Sequence, residues 1–254
     1  MERFVRLLVT SAVGLVPAGG LAIASAPGSS RVWTVAAVSL ATALLVAGWP
    51  ALTQLPEPHS ARLTLAFTGA VAVVLATLRP GDASAVLVAI ALGFPAVFVR
   101  ELTRPAPRPD LVRSVAATTC GVMGVAAMGL WVTTSQMAQF LDLAVLAGVG
   151  IAAACLGLGL SRWLPDRPWR TEAGALAGVV LAAAAGAGAS FLVVTHWWAG
   201  AALAAACAIA PAAVWLVAEP LGITRGGPRW RDAALVTIPL AVAAVPVWAA
   251  ALIR

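Results

Sequence analysis

"VFVRELTRPAPRPDLVRS", residues 97–114, puts four arginines, two acids and three prolines into a 254-residue chain of which only 10% is charged. The runs that overlap its two ends, 84–101 and 112–134, are otherwise almost wholly apolar. Each run is close to the roughly 20 residues that an α-helix needs to cross the hydrocarbon of a bilayer. The stretch therefore reads as the loop between two membrane-spanning helices, and that reading sets the fold of the whole chain, because the same alternation recurs along it.

Composition agrees. The chain is 61% hydrophobic with a mean hydropathy of +0.97, whereas charged residues make up about a quarter of an ordinary soluble domain. We expect an all-α, polytopic transmembrane bundle forming one domain over 1–254. Nine helices are predicted, near 4–25, 33–54, 62–79, 84–101, 112–134, 140–161, 172–195, 197–218 and 232–253.

Arginine placement predicts the orientation, since short cytoplasmic loops hold an excess of basic residues. All sixteen basic residues are Arg. With the N-terminus inside and the C-terminus outside, the cytoplasmic segments carry Arg3 and Arg6; Arg62; Arg100, Arg104, Arg108 and Arg113; Arg162, Arg167 and Arg170; and Arg225, Arg229 and Arg231. Only Arg31, Arg79 and Arg254 fall outside. Residues 1–26 also fit a signal peptide ending at Ala24-Ser25-Ala26. The arginine pattern downstream is the same in both cases, and we take the stretch as an uncleaved first helix.

The opening stretch has two readings. As an orientation signal it needs no ligand. As a site, Glu101 and Asp110 could gather with Arg104 and Arg108 on the cytoplasmic face, joined by Glu219, Asp232, Arg225 and Arg229, acids holding a divalent ion and arginines a phosphate. Pro105, Pro107 and Pro109 forbid a continuous helix and predict a short, stiff, extended link.

Several classes are excluded or disfavoured. A net charge of +6 and a pI near 11.2 invite nucleic acid, but the arginines sit at helix ends and not on one folded face with readers between them. Cys120, Cys155 and Cys207 lie in apolar runs without metal or redox spacing. The two histidines, His59 and His196, fall on opposite predicted sides, so no two-histidine metal site is expected. No cofactor is implied. No ionisable residue lies near the middle of any predicted helix, which disfavours proton coupling.

Glycines stud the predicted helices from 112 to 195, including Gly174 and Gly178, and predict close packing there. The alternative use of that region is a narrow path lined by Thr118, Thr119, Ser190 and Thr195. Pro17, Pro95, Pro211, Pro239 and Pro246 lie inside predicted helices, where each bends the axis. Most tryptophans fall near predicted interfaces, as anchors. "LGFPAVFVRE" and "IAPAAVWLVAE" share a mid-helix proline and a terminal glutamate, which would fit a parallel four-helix duplication.

"GWPALTQLPEP", residues 48–58, and "GFPAVFVRELTRPAPRPDLVRSVAATTCGVM", residues 93–123, resemble a family of small polytopic membrane proteins of high-GC Gram-positive bacteria. The resemblance implies a cytoplasmic-membrane location and transfers no catalytic or binding residue. The layout also invites comparison with integral-membrane phosphatidate cytidylyltransferases, but residues 219–232, "EPLGITRGGPRWRD", lack the lysine and the His-Gly-Gly ending of that signature.

The expected function is permease-like or transport-associated, for a small or amphipathic solute. The alternatives are an enzyme of phospholipid or polyprenyl-phosphate metabolism at the cytoplasmic face and a non-catalytic membrane scaffold. No catalytic residue is assigned. Candidate ligand-binding residues are Arg104, Arg108, Glu101, Asp110, Thr118 and Thr119. Expected partners are the bilayer, anionic lipid head groups at the cytoplasmic face, and a second copy or another membrane protein, with no nucleic acid.

Overall fold

The structure, a computed structural model, describes residues 31–108, 110–137, 140–161, 170–191, 196–218 and 229–253. Among them there are eight α-helices and no strand: α1 (Arg31–Thr53), α2 (Pro58–Leu78), α3 (Ser84–Thr103), α4 (Leu111–Thr134), α5 (Phe140–Ser161), α6 (Arg170–Ser190), α7 (Trp197–Ala218) and α8 (Arg229–Ile253). The predicted first helix, 4–25, with Pro17 and the possible cleavage site, lies outside the described residues.

Six of these helices, α1 to α4, α6 and α7, are long and apolar enough to cross a membrane, while α5 and α8 carry shorter apolar stretches. The outward faces are as apolar as the interior: Leu63, Leu87, Leu176 and Val180 are all exposed. In water such a surface would drive association. In lipid it is the ordinary exterior of a helical membrane protein.

Helix limits follow local chemistry. α2 starts at Pro58, four residues before the predicted boundary, because proline suits the first helical position, where its missing N–H would have had no partner. α3 ends at Thr103 because Arg104, held extended (φ −68°, ψ 131°), precedes Pro105, and a residue before proline is disfavoured in the helical region. Residues 104–108 are not helical, with Arg104 extended. α1 ends in a left-handed cap: Gln54 has φ +52°, and the Leu55 N–H donates to the Pro50 carbonyl at 3.0 Å, the six-to-one bond of a Schellman ending. Pro50 thus lies inside α1, an addition to the predicted helix prolines. Between α2 and α3, Gly81 at φ +76° and an Asp82 N–H bond to the Arg79 carbonyl at 3.2 Å close a Pro-Gly turn.

The helices fall into two groups. α1 to α4 pack on one another, α5 to α7 pack on one another, and α8 packs against both, touching α1 and α4 on one side and α5 and α7 on the other. The groups use different packing. The first is filled by large side chains, with Leu45, Leu65, Val97, Val122, Val125 and Met128 fully buried. The second also buries Leu143 and Leu146, and adds alanines such as Ala154, Ala182 and Ala208 and glycines at contact. A methyl group added to Gly157 would overlap the backbone of Gly178, and one added to Gly186 would overlap Ala204 and Gly200. Without a hydrophobic drive in lipid, such backbone approach is what holds helices together.

The bridging helix α8 contains Pro239 and Pro246. Between them, the Leu240 carbonyl accepts the indole N–H of Trp131 on α4 at 2.9 Å. Trp131, the largest fully buried side chain, also meets Phe140 at the start of α5, edge to face, with ring centroids 6.3 Å apart. One residue thereby contacts both groups and the helix between them.

Candidate functional site

At one end of the first group, the start of α2, the end of α3 and the start of α4 meet around Arg100. This residue is buried, as are Glu101 and Arg104. An isolated charge would not stay ionised in such a place, so the surrounding residues decide whether it can exist.

The guanidinium of Arg100 is met on every side. Its Nε donates to Ser60 Oγ at 2.9 Å and its Nη1 to Thr118 Oγ1 at 2.7 Å. Nη1 also pairs with Glu101 Oε1 at 3.0 Å, and Nη2 donates to the Glu57 carbonyl at 3.3 Å. Glu101 is equally committed. Its Oε1 also accepts the Ser114 hydroxyl at 2.5 Å, and its Oε2 pairs with Arg104 Nη1 at 3.5 Å. Arg104 completes the chain through Nε to Glu57 Oε1 at 3.4 Å.

Two arginines and two glutamates balance, and three helices are tied together by them. The serines and threonines supply the remaining bonds because each hydroxyl can accept from a guanidinium while giving its own proton elsewhere. Thr118, for example, donates to the Ser114 carbonyl at 2.8 Å. Among the described residues the one fully buried side-chain polar atom without a hydrogen-bond partner is Trp248 Nε1, so no fully buried polar atom of the cluster lacks one.

Of the predicted candidates, Glu101, Arg104 and Thr118 belong to this cluster. Asp110 and Arg108 do not. Asp110 is exposed, in the left-handed region at φ +56°, immediately before α4. Arg108 turns back on the end of α3, donating from Nε to the Arg104 carbonyl and from Nη2 to the Leu102 carbonyl, both at 2.8 Å. Thr119 is half-buried one residue past the cluster. Ser190 is buried and donates to the Ala187 carbonyl at 2.6 Å. Thr195, Glu219 and Arg225 lie outside the described residues, and the side chains of Arg229 and Asp232 are not described. His196 is exposed and stacks on Trp198 with ring centroids 6.1 Å apart.

Sequence reasoning missed Arg100, Glu57, Ser60 and Ser114. A signal for them exists. Ser60, Thr64 and Thr68 repeat every four residues on α2, and Ser114 and Thr118 do so on α4, which places one hydroxyl stripe on each helix. Both stripes begin where Arg100 and Glu101 end α3, so polar faces and buried charge were legible together.

The remaining polar contacts at this end secure the loops. Trp49 Nε1 donates to the Ala117 carbonyl at 2.9 Å, and Gly121 leaves room for its ring. Arg113 Nη2 donates to the Thr53 carbonyl at 3.2 Å and to Gln54 Oε1 at 3.3 Å. No group of three or more His, Cys, Asp or Glu side chains is placed to hold a metal ion among the described residues. Compared with known protein families, characterised proteins and solved structures, the chain matches none.

Proposed function

We propose that this chain is a multi-pass protein of the cytoplasmic membrane, permease-like or transport-associated, handling a small or amphipathic solute. Nine helices, with residues 4–25 forming the first, would place the N-terminus inside, the C-terminus outside and the Arg100 cluster at the cytoplasmic face. The observation that carries the reading is the division into two helix groups with α8, which contains Pro239 and Pro246, between them. Alternating access in many transporters is the rocking of one bundle against another, and a helix that lacks two backbone donors at its prolines can absorb a change in angle.

The cluster gives the first group the rigidity that such motion requires, since α2, α3 and α4 are joined by charge as well as by side-chain packing. The cytoplasmic-face enzyme draws less support, because both oxygens of Glu101 are engaged within the protein. A scaffold built on glycine faces also draws less, because Gly157 meets Gly178 and Gly186 meets Gly200 inside the chain.

The test is a distance between the groups. Spin labels at Leu92 on α3 and Val180 on α6, both exposed, should give two populations by double electron–electron resonance in lipid nanodiscs, their ratio changing with added solute or pH. A single narrow distance under all conditions would contradict a rocking permease.

A further inference from the structure

Helix α8 touches both helix groups, so a motion between them must carry it with one or the other. Its buried face favours the first. Leu240, Ala244 and Val247 of α8 belong to one apolar cluster with Leu45 of α1 and Val125 of α4. From the second group, α5 and α7 add residues such as Leu146 and Leu203 to that cluster, while Ala182 of α6 is buried in a separate one with Ala154 and Ala208.

Apolar packing resists sliding only weakly, because one hydrophobic contact replaces another of similar worth. A hydrogen bond is directional and fixes register. The Trp131 indole N–H supplies one from α4 to the Leu240 carbonyl at 2.9 Å. Trp131 is itself immobile: its side chain is 2% exposed, and its own carbonyl accepts the Ser135 N–H at 3.0 Å and the Thr134 hydroxyl at 3.2 Å. The bond lands between Pro239 and Pro246. Each of these prolines withholds a backbone N–H from α8, so the stretch between them is less firmly tied to the rest of its own helix than an ordinary stretch would be, and the outside donor matters more.

We infer that Trp131 is a latch: it holds the stretch of α8 between its two prolines to α4, so that α8 travels with α1 to α4 and the moving boundary runs between α8 and the group α5 to α7. The inference rests on the rocking proposed above and adds where the boundary lies.

The experiment is double electron–electron resonance on the full chain in lipid nanodiscs, without added solute, with the native cysteines replaced and one label at Val242, an exposed position between the prolines. Paired with a label at Leu92 on α3, it should give one dominant distance. Paired with a label at Val180 on α6, it should give two. Trp131→Phe keeps the ring but loses the donor, and should raise the population of a second, minor Val242–Leu92 distance about fivefold, the weight of one net hydrogen bond. Trp49→Phe removes a bond of the same kind and length inside the first group, from α1 to the Ala117 carbonyl of α4, and should leave that population unchanged. Equal effects of the two substitutions, or a folded Trp131→Phe chain with an unaltered distribution, would overturn the latch. Two Val242–Leu92 distances in the native chain with a single Val242–Val180 distance would also overturn it, by assigning α8 to the second group while leaving the rocking intact. A single distance for both pairs would remove the rocking, and the latch with it.

Discussion

Glu101 holds its neighbours from both carboxylate oxygens, and the loss of its charge would leave two buried arginines with one glutamate between them. Removing one partner of a buried pair costs about 3 kcal/mol or more. Glu101→Gln is therefore expected to lower stability by about that much, read as the unfolding free energy in detergent. Glu57, whose side chain is 39% exposed, should matter far less. Screening by water leaves exposed pairs worth about 0–1 kcal/mol, and Glu57→Gln should fall in that range. Equal losses would mean that burial does not govern the cluster.

A different carboxylate responds to pH. Asp82 accepts the Ser84 hydroxyl at 2.5 Å and the Ser84 N–H at 2.8 Å, and these two bonds, the hydroxyl's first, hold its pKa below the usual 3.8. A depressed carboxylate stabilises the fold while ionised, so its contribution is complete above about 3.8 and is lost as pH falls through the lowered value. Amide exchange at Ser84 should accelerate, relative to a mid-helix amide of α3, only below that range. Acceleration near neutral pH would assign the first turn of α3 to some other group.

At the scale of the helix, a glycine at a backbone contact and a glycine in open space should answer differently to an added side chain. Gly157 and Gly178 touch backbone to backbone, whereas nothing lies within 4 Å of a methyl built on Gly188. Gly157→Val should separate α5 from α6 and lower the melting temperature sharply. Gly188→Ala should be neutral or slightly stabilising, since alanine is the better helix former by about 1 kcal/mol. Trp131→Phe keeps the buried ring but removes the bond to Leu240, a loss of about 1 kcal/mol. In a permease it should also broaden the distance distribution between the groups.

The helices themselves were legible in the sequence because twenty-residue apolar runs bounded by arginine and proline have few other readings. Their ends were less so: the start of α2 was placed four residues late because Pro58, His59 and Ser60 look like loop, and only the first-turn role of proline reverses that. The candidate site was half legible. Glu101 and Arg104 were named from charge and position and Thr118 as lining a path, but the partners lie 43 residues upstream of Arg100, at Glu57, and 14 downstream, at Ser114. A linear reading of charged residues passes over serines. Arg108 does not join Glu101, because its donors are taken by the Arg104 and Leu102 carbonyls, and Asp110 is exposed before α4 while Arg100 is buried between the helices.

Over the whole molecule, the apolar exterior fits helices in lipid, and the orientation proposed above would put the arginine-rich end in the cytoplasm. Labelling from one side tests that directly. With Cys120, Cys155 and Cys207 replaced, single cysteines at Ala106, in the link after α3, and at Pro80, in the turn before it, are both exposed. In spheroplasts treated with a membrane-impermeant maleimide, the cysteine at 80 should label at once and the one at 106 only after lysis. Labelling of 106 in intact spheroplasts, or of both positions alike, would contradict the account.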